Sequence, residues 1–475
     1  MGKFNFSLVR EIDFFKKKKE YISIIFLRGV NIFFVFGSIK FITNQFDDEV
    51  VGKYYLIMTI VSLINLSVLN APSNFFFRNF KKIHNQNLYN NFLKSSILLG
   101  CIASFLSLLP LSFLLKENLK SNSFLIFVIC IYVALDFITR NSLNVYLTLR
   151  KFKEYNRFNF FYYVLSLFFG IVFSKLSNTL YGFFIGLIIS QLVIFYSQSS
   201  SIDLNSFLKS KIYRPSKPFF DYVFPIIIAN FFIWGNSQGF RILIENHFSL
   251  NELGLISIVL FVTNGFLSNI ESLFSSYYNP KIFMNYDSSK FRVIIENYIK
   301  NISFVIILLS FFIVNNIEFL INLLGKKTYL VFKNLVYFSI VSEYLRIITN
   351  ILKHKSFREK NTNFILQANI FSFCLMIITF YVLYNFQFNL TIVVGSLLIV
   401  SNLSSFAYML FVTDTKNILK LILHILILVF ISLINFVFKD LNNSKIYFNV
   451  LIFLIVIIYL KIKFNEFNYS RSRTS

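Results

Sequence analysis

The sequence predicts an all-α polytopic membrane protein with two six-helix lobes and two extra C-terminal helices. Of its 475 residues, 56% are hydrophobic and only 14% are charged, whereas an average soluble domain carries about 25% charge. Apolar runs recur from Tyr21 to Lys461, and they are long enough to cross a hydrocarbon layer about 30 Å thick. Short motifs also recur at corresponding places in the two halves. Helices are expected because every backbone polar group in lipid must be satisfied within its own segment.

The apolar runs predict fourteen spans, or twelve if the last two form a hairpin outside the main body. The segment before Tyr21 carries apolar residues at helical spacing, which fits either an amphipathic helix in the membrane interface or a solvated basic tail. The predicted spans are 21–43, 52–71, 92–115, 124–149, 158–174, 179–198, 219–245, 253–278, 297–317, 330–352, 363–385, 390–412, 421–437 and 446–460.

Basic residues orient these spans. If the N-terminus is cytoplasmic, most of the 46 Lys and Arg residues fall in cytoplasmic segments, as the positive-inside rule requires. Both termini are therefore predicted to be cytoplasmic. The net charge of +24 does not indicate nucleic-acid binding, because the charge lies in short clusters between apolar runs and not in a basic domain.

An internal repeat predicts how the helices are divided. An Asn-x-Phe motif ahead of Gly52 returns ahead of Gly254, 202 residues later, and the Lys-x-Lys motif at 151–153 returns at 353–355. Both motifs fall in corresponding loops, as a parallel duplication requires. The predicted divisions are an N-terminal lobe at 1–198, a cytoplasmic linker at 199–218, a C-terminal lobe at 219–412, and two additional helices with a basic tail at 413–475.

Cofactor and metal chemistry finds little support in the sequence. The three cysteines lie in separate apolar runs and the four histidines are scattered, so no disulfide, metal site or cofactor is expected. The acidic trio Asp47, Asp48 and Glu49 could hold a metal or serve as catalytic carboxylates. Capping of the second helix is the favoured interpretation, because acidic side chains complement a helix N-terminus.

Charged residues within spans are the candidate functional groups, because each costs about 2.5–3.5 kcal/mol on insertion scales. Asp136 and Arg140 in the fourth helix, and Glu343 and Arg346 in the tenth, have the spacing of side chains that share a helix face. Each pair is expected either to neutralise itself for insertion or to act in coupling or gating as a proton-linked switch. If they pair, charge-swapped double variants should recover expression that single variants lose.

Three basic residues and one acidic residue remain. Arg28 in the first helix has no acidic neighbour at helical spacing, so its charge is free for another helix or for an anionic ligand; arginine binds phosphate with two parallel hydrogen bonds. Lys40 and Arg241 lie near span ends and could snorkel. Glu271 stands alone in the eighth span, where it is either a proton or sodium coupling site or a hydrogen-bonded packing residue.

Two stretches resemble the polysaccharide and O-antigen repeat-unit flippases of the multidrug/oligosaccharidyl-lipid/polysaccharide exporter superfamily. The first comprises residues 49–54, Ala71, Pro72 and Arg78; the second comprises Pro225, Trp234, Asn236, Ser237, Arg241 and residues 252–254. The likeness extends over about twelve helices.

The resemblance implies a function and a site. Such proteins carry undecaprenyl-pyrophosphate-linked oligosaccharide repeat units of O-antigen or capsule across the bacterial inner membrane by alternating access, through a cationic cavity between two lobes. It implies Arg28 and Arg241 as substrate-binding residues, and Lys40 is a further candidate for substrate binding. Proton or sodium coupling, contact with membrane lipids and a polysaccharide polymerase as a partner are also expected. Phe240 stands where such proteins often have an acidic residue, which argues against a paired structural role for Arg241.

Two other functions stay open at this point. A membrane glycosyltransferase or O-antigen polymerase would also span the membrane many times. The longest predicted outside loop, 318–329, is too short for the large catalytic loop of such an enzyme, so the chain is expected not to be an enzyme. A drug exporter of the same superfamily should have an acidic cavity, whereas the isolated charges here include Arg28.

Overall fold

The computed structural model describes residues 29–73, 75, 86–114, 119–148, 151–199, 217–285, 290–359 and 363–413. Within these residues the chain is helical and contains no strand. The predicted interfacial tail, Arg28 and the last two predicted spans lie outside the described residues. The long helices are α1 at 29–45, α2 Asp48–Leu63 with the π-turn Ile64–Leu69, α3 Gln86–Leu114, α4 Leu119–Thr148, α5 Phe152–Ser177, α6 Leu180–Ser199, α7 Lys217–Trp234 with the π-turn Gly235–Gly239 and Phe240–His247, α8 Leu250–Met284, α9 Lys290–Asn315, α10 Leu335–Arg358, α11 Asn363–Asn385 and α12 Leu390–Thr413.

Eleven of the described helices, α2 to α12, are long and apolar enough to cross a membrane. The protein is therefore a multi-pass membrane protein, as the composition predicted. Local sequence explains where several helices begin and end. At the start of α8, the Ser249 hydroxyl accepts from the backbone N–H of Glu252 at 3.1 Å and donates to its carboxylate at 3.1 Å, so Ser249 caps the helix N-terminus. At the end of α5, Asn178 adopts the left-handed φ of 50° that commonly terminates helices.

The helices pack in two groups. In the N-terminal group α3, α4, α5 and α6 pack on one another and α3 also contacts α2; in the C-terminal group α8, α9, α10, α11 and α12 pack together, and α7 lies against α11. The two groups meet where α2 packs against α7 and α8. The predicted linker 199–218 falls between them and lies mostly outside the described residues.

The contact between α2 and α8 is a crossing of two glycines. A Cβ atom on Gly52 would lie 1.9 Å from the carbonyl oxygen of Leu250, and a Cβ atom on Gly254 would lie 2.2 Å from the carbonyl oxygen of Asp48. No side chain fits at either position, so the two backbones approach as closely as glycine alone allows. Residues related by the 202-residue repeat therefore pack against each other at the boundary between the groups.

One segment differs from the prediction. The stretch 318–329 was expected to be a loop, and α10 was expected to begin at residue 330. Instead a short helix, Ile317–Leu324, and a 3-10 turn, Lys327–Phe332, precede α10, which begins at Leu335. Leu320, Ile321 and Leu324 are buried at helical spacing, but they form too short an apolar run to register as a span. We call Ile317–Leu324 the loop helix.

Candidate functional site

Asp136 of α4 is the centre of the first charged cluster, and its side chain is 0% exposed. It accepts hydrogen bonds from Arg140 Nε at 2.9 Å, from the Tyr162 hydroxyl at 3.1 Å, and more weakly from Asn65 Nδ2 at 3.4 Å and Gln191 Nε2 at 3.5 Å. These donors come from α4, α5, α2 and α6. Burying a carboxylate is costly unless such donors satisfy it, and the predicted pairing of Asp136 with Arg140 is present in the structure.

The second charged cluster joins α8 to α10. Arg346 donates from Nε to Glu343 at 2.9 Å and from a terminal amino group to Glu271 at 2.7 Å. Asn350 Nδ2 donates to the other Glu271 oxygen at 2.9 Å, and Lys353 Nζ donates to Asn350 at 3.1 Å. The pairing of Glu343 with Arg346 was predicted. Glu271 is the hydrogen-bonded packing residue of the two interpretations given above, and its partner lies 75 residues along the chain, far beyond helical spacing.

The two arginines differ in how fully they are neutralised. Arg346 is 24% exposed and bridges two carboxylates, of which Glu271 is 18% and Glu343 10% exposed. Arg140 is 60% exposed and pairs with the single carboxylate of Asp136. Its hydrogen bond leaves from Nε, so among the described residues the terminal amino groups of Arg140 remain available to a ligand. Their roles in coupling or gating stay predictions.

Arg241 lies at the boundary between the helix groups. It follows the π-turn of α7 and donates to the Thr59 hydroxyl of α2 at 3.3 Å and to the side chain of Gln238. Its guanidinium carbon lies 5.2 Å from the ring centre of Tyr55 and 5.7 Å from that of Phe240. Within the part of the chain that the structure describes, no carboxylate is within ion-pair distance of Arg241. Position 240 is a phenylalanine, and no described carboxylate pairs with Arg241 in its place.

Hydrogen bonds between α2 and α7 fix the surroundings of Arg241. Trp234 Nε1 donates to the Thr59 carbonyl at 2.8 Å and to the Ser62 hydroxyl at 3.2 Å, and Asn230 Nδ2 donates to the Leu66 carbonyl at 2.8 Å. Leu66 lies within the π-turn of α2, and Trp234 directly precedes that of α7. Such turns are frequent at functional sites. Arg241 is therefore held where the two helix groups meet and where both helices are irregular.

Lys40 does not join Arg241. Its ammonium donates to the Asn322 carbonyl of the loop helix at 3.1 Å. Nearby, the Thr43 hydroxyl donates to the Leu324 carbonyl at 2.5 Å and Lys326 Nζ donates to the Phe46 carbonyl at 3.0 Å. Lys40 thus ties α1 to the C-terminal group, which is a different environment from the substrate site that the family resemblance implied.

Asp48 extends this connection. Its carboxylate accepts from the Tyr329 hydroxyl at 2.8 Å and from Thr328 at 3.4 Å, and Lys326 Nζ lies 3.9 Å away. Burial and the neighbouring Asp48 raise the pKa of Tyr329, so the phenol remains a proton donor at physiological pH. We call residues 40–48 with 322–329 the junction latch. Asp48 and Glu49 lie in the first turn of α2, but Asp47 at the N-cap position makes no side-chain cap bond, so the predicted capping by hydrogen bonds is not found there.

We expect Asp48→Ala to destabilise the protein by about 1.5–3 kcal/mol, the range for hydrogen bonds to charged groups. The side chain of Asp48 is 18% exposed, so solvent replaces its bonds poorly. Asp47→Ala is the matched control, because Asp47 is exposed and should change stability by less than about 0.5 kcal/mol. Thermal unfolding in nanodiscs measures both. Equal melting temperatures for the two variants would show that the latch contributes nothing.

Some members of the clusters were missed by sequence reasoning. Asn65, Tyr162, Gln191 and Asn350 complete the bonding of the carboxylates, but neutral polar residues are common in this chain and carry no charge that marks them within a span. No group of described residues could hold a metal ion. Arg28, the first candidate ligand residue, lies outside the described residues.

Comparisons with known proteins define the class of this fold. No protein-family model and no curated protein sequence matches the chain. A solved structure of the lipid II flippase MurJ in an inward closed conformation matches with a TM-score of 0.66 at 18% identity, over 93% of this chain and 99% of that chain. The chain therefore shares its fold with that solved structure.

Other solved transporters share this fold. An inward-facing multidrug resistance MATE transporter of the MOP superfamily matches with a TM-score of 0.52 at 11% identity, over 82% of this chain and 97% of its own. A MOP-superfamily transporter from Pyrococcus furiosus, described by the reverse polarity of its binding pocket, matches with a TM-score of 0.58 at 12% identity, over 83% and 94%. The chain shares its fold with these solved MOP-superfamily transporters.

Proposed function

We propose that the protein is a flippase for undecaprenyl-pyrophosphate-linked oligosaccharide repeat units of O-antigen or capsule in the bacterial inner membrane. The observation that carries the proposal is Arg241, a guanidinium at the boundary between two helix groups with neutral and aromatic contacts only among the described residues. A charge in this position is costly unless a ligand or partner compensates it. A pyrophosphate is a suitable ligand, because arginine can bind two of its oxygens at once.

The two helix groups act as the lobes of an alternating-access transporter in this proposal. The pyrophosphate and sugars face a large barrier in hydrocarbon, and a polar cleft between the lobes replaces their hydration while the lipid tail stays in the bilayer. The face that carries the junction latch is periplasmic in the predicted topology, with both termini cytoplasmic. A latched periplasmic face leaves the opposite side as the entry for substrate from the inner leaflet.

Arg28 completes the proposed cationic site from the first helix. One charged cluster lies in each lobe, around Asp136 and around Glu271. In this proposal the clusters couple or gate the movement of the lobes, and a proton or sodium ion drives transport. A polysaccharide polymerase would receive the exported repeat units. Each of these assignments extends the proposal beyond Arg241 and is tested by transport of the lipid-linked sugar.

The test is transport by the purified protein in liposomes that contain a fluorescent undecaprenyl-pyrophosphate oligosaccharide, read by a membrane-impermeant quencher. We expect the initial rate to fall in the order wild type, Arg241→Lys, Arg241→Ala, Arg241→Glu. Lysine keeps the charge but loses the paired hydrogen bonds. The alanine variant should lose about ten-fold or more, because a hydrogen bond to a charged group contributes about 1.5–3 kcal/mol. The same order is expected at Arg28.

Arg292→Ala serves as the control for protein handling and orientation. Arg292 pairs with Glu296 at 3.0 Å, and both side chains are largely exposed, at 58% and 43%. Its loss should leave transport unchanged. If Arg241→Ala transports as fast as Arg292→Ala, the charge at 241 does not bind the substrate. Export of a cationic dye without movement of the lipid-linked sugar would favour a drug exporter.

A further inference from the structure

The two charged clusters share a pattern of residues. Arg140 is followed four residues later by Asn144 on α4, and Arg346 is followed four residues later by Asn350 on α10, so both residues return at the same offset of 206. In the C-terminal group, a terminal amino group of Arg346 binds Glu271 of α8 at 2.7 Å. The N-terminal cluster therefore has a place that is equivalent to the place of Glu271.

Among the described residues, the N-terminal group has no carboxylate in this place. The 202-residue repeat that relates Gly52 of α2 to Gly254 of α8 makes Leu69 the equivalent of Glu271. The residues on either side of Leu69 are valine and asparagine, so a shift of one residue in the π-turn does not supply an acid. The arginine of the N-terminal cluster thus pairs with one described carboxylate, whereas that of the C-terminal cluster pairs with two.

The exposed side chain of Arg140 lies on the face of α4 that is opposite to its exposed apolar face. Phe124 and Phe127 are 52% and 60% exposed. At 3.6 residues per turn, Arg140 lies about 140–160° around the helix from both of them. Asn144 is exposed one turn further on, and residues 141–143 between the two are buried. This narrow polar stripe faces away from the lipid, as charged side chains within a membrane span usually do.

Arg140 and Arg241 lie at different depths along α2. Asp136, which binds Arg140, accepts from Asn65 of α2 at 3.4 Å. Arg241 donates to Thr59 of α2 at 3.3 Å. Six residues separate these two contacts, which is about 9 Å of helix. Because α2 runs from the periplasmic to the cytoplasmic face in the predicted topology, Arg140 lies on the cytoplasmic side of Arg241.

We propose that Arg140 binds the pyrophosphate of the lipid-linked substrate before Arg241 does. Nε of Arg140 lies 2.9 and 2.8 Å from the two oxygens of Asp136, so Asp136 orients the guanidinium through this atom alone. The terminal amino groups can then bind two phosphate oxygens side by side, where the C-terminal group has the carboxylate of Glu271. This inference rests on the proposed function. A phospholipid headgroup offers the same phosphate chemistry, so both lipids have to be tested.

The test measures the binding of undecaprenyl pyrophosphate to the protein in phosphatidylcholine nanodiscs. Arg140→Lys keeps a cation beside Asp136 but loses the two terminal amino groups. It should therefore keep the melting temperature of the ligand-free protein and lower the affinity about ten-fold. Asp136→Asn combined with Arg140→Gln removes both charges and strands neither, and it should bind at least as weakly. Arg292→Lys, in an exposed pair on α9, is the matched control and should bind like the wild type.

The outcomes separate this inference from the proposed function. If the wild type, Arg140→Lys and the double variant bind undecaprenyl pyrophosphate equally, the inference is wrong and Arg140 only pairs with Asp136. If phosphatidylglycerol binds as tightly and with the same dependence on Arg140, the site holds a phospholipid headgroup and the inference is also wrong. If the wild type does not bind undecaprenyl pyrophosphate, the proposed function fails too. Binding that Arg140→Lys weakens and Arg241→Ala leaves intact supports Arg140 and contradicts the role of Arg241.

Discussion

Gly52→Ala is expected to separate α2 from α8 and to stop transport, although it adds only one methyl group. The new Cβ would lie 1.9 Å from the Leu250 carbonyl oxygen, and the obstacle is backbone, which cannot turn aside as a side chain can. The loss should exceed the about 1–3 kcal/mol of ordinary overpacking. Gly254→Ala should have a similar effect, because its Cβ would lie 2.2 Å from the Asp48 carbonyl oxygen.

Gly239→Ala is the control for replacing a membrane-helix glycine. A Cβ atom there would have Phe373 as its nearest neighbour, at 3.9 Å, which is an ordinary contact. Melting temperature and liposome transport should both stay near wild type. The double variant of Gly52 and Gly254 should lose less than the sum of the single losses, since both substitutions open the same crossing. A Gly52→Ala protein as stable and active as Gly239→Ala would show that the crossing is not as tight as described.

This crossing shows what the sequence could and could not predict. The 202-residue repeat identified Gly52 and Gly254 as equivalent positions, and the apolar runs predicted the helices on which they lie. Equivalence does not imply contact, however. The contact arises because the starts of α2 and α8 pack together where the two helix groups meet. Residue spacing does not show which helices pack against each other.

Some pairings of the charged residues could likewise be predicted from the sequence, and others could not. The pairs Asp136 with Arg140 and Glu343 with Arg346 were predictable, because their partners are three or four residues apart on one helix. The partner of Glu271 could not be predicted, since it belongs to another helix. The loop helix was missed because its apolar run is short, and with it the latch to Asp48.

The structure also changes the expectation for charge-swapped variants. A guanidinium at position 136 would meet the hydroxyl of Tyr162 and the amide nitrogens of Asn65 and Gln191, which now donate to the carboxylate. A carboxylate at position 346 would face Glu271 instead of binding it. Swapping either pair is therefore not expected to restore the native arrangement, even though both pairs exist.

Removing one partner of the second cluster gives a sharper result. Arg346→Met should destabilise the protein by about 3–5 kcal/mol, the usual cost of leaving a buried charge without its partner. Methionine fills a similar length of space but leaves Glu271 and Glu343 without their shared cation. Both carboxylates are mostly buried, at 18% and 10% exposure, so solvent cannot replace the arginine.

Two comparisons make this expectation specific to the charge. Arg292→Met removes an arginine from an exposed pair on α9 and should cost less than about 0.5 kcal/mol. Adding Glu271→Gln to Arg346→Met removes one of the two stranded charges, so the double variant should unfold at a higher temperature than Arg346→Met alone. Thermal unfolding in nanodiscs, with the yield of folded protein, measures all three. Two results would contradict this expectation: equal melting temperatures for Arg346→Met and Arg292→Met, or a lower melting temperature when Glu271→Gln is added to Arg346→Met. Either would show that the bridge between α8 and α10 does not depend on these charges.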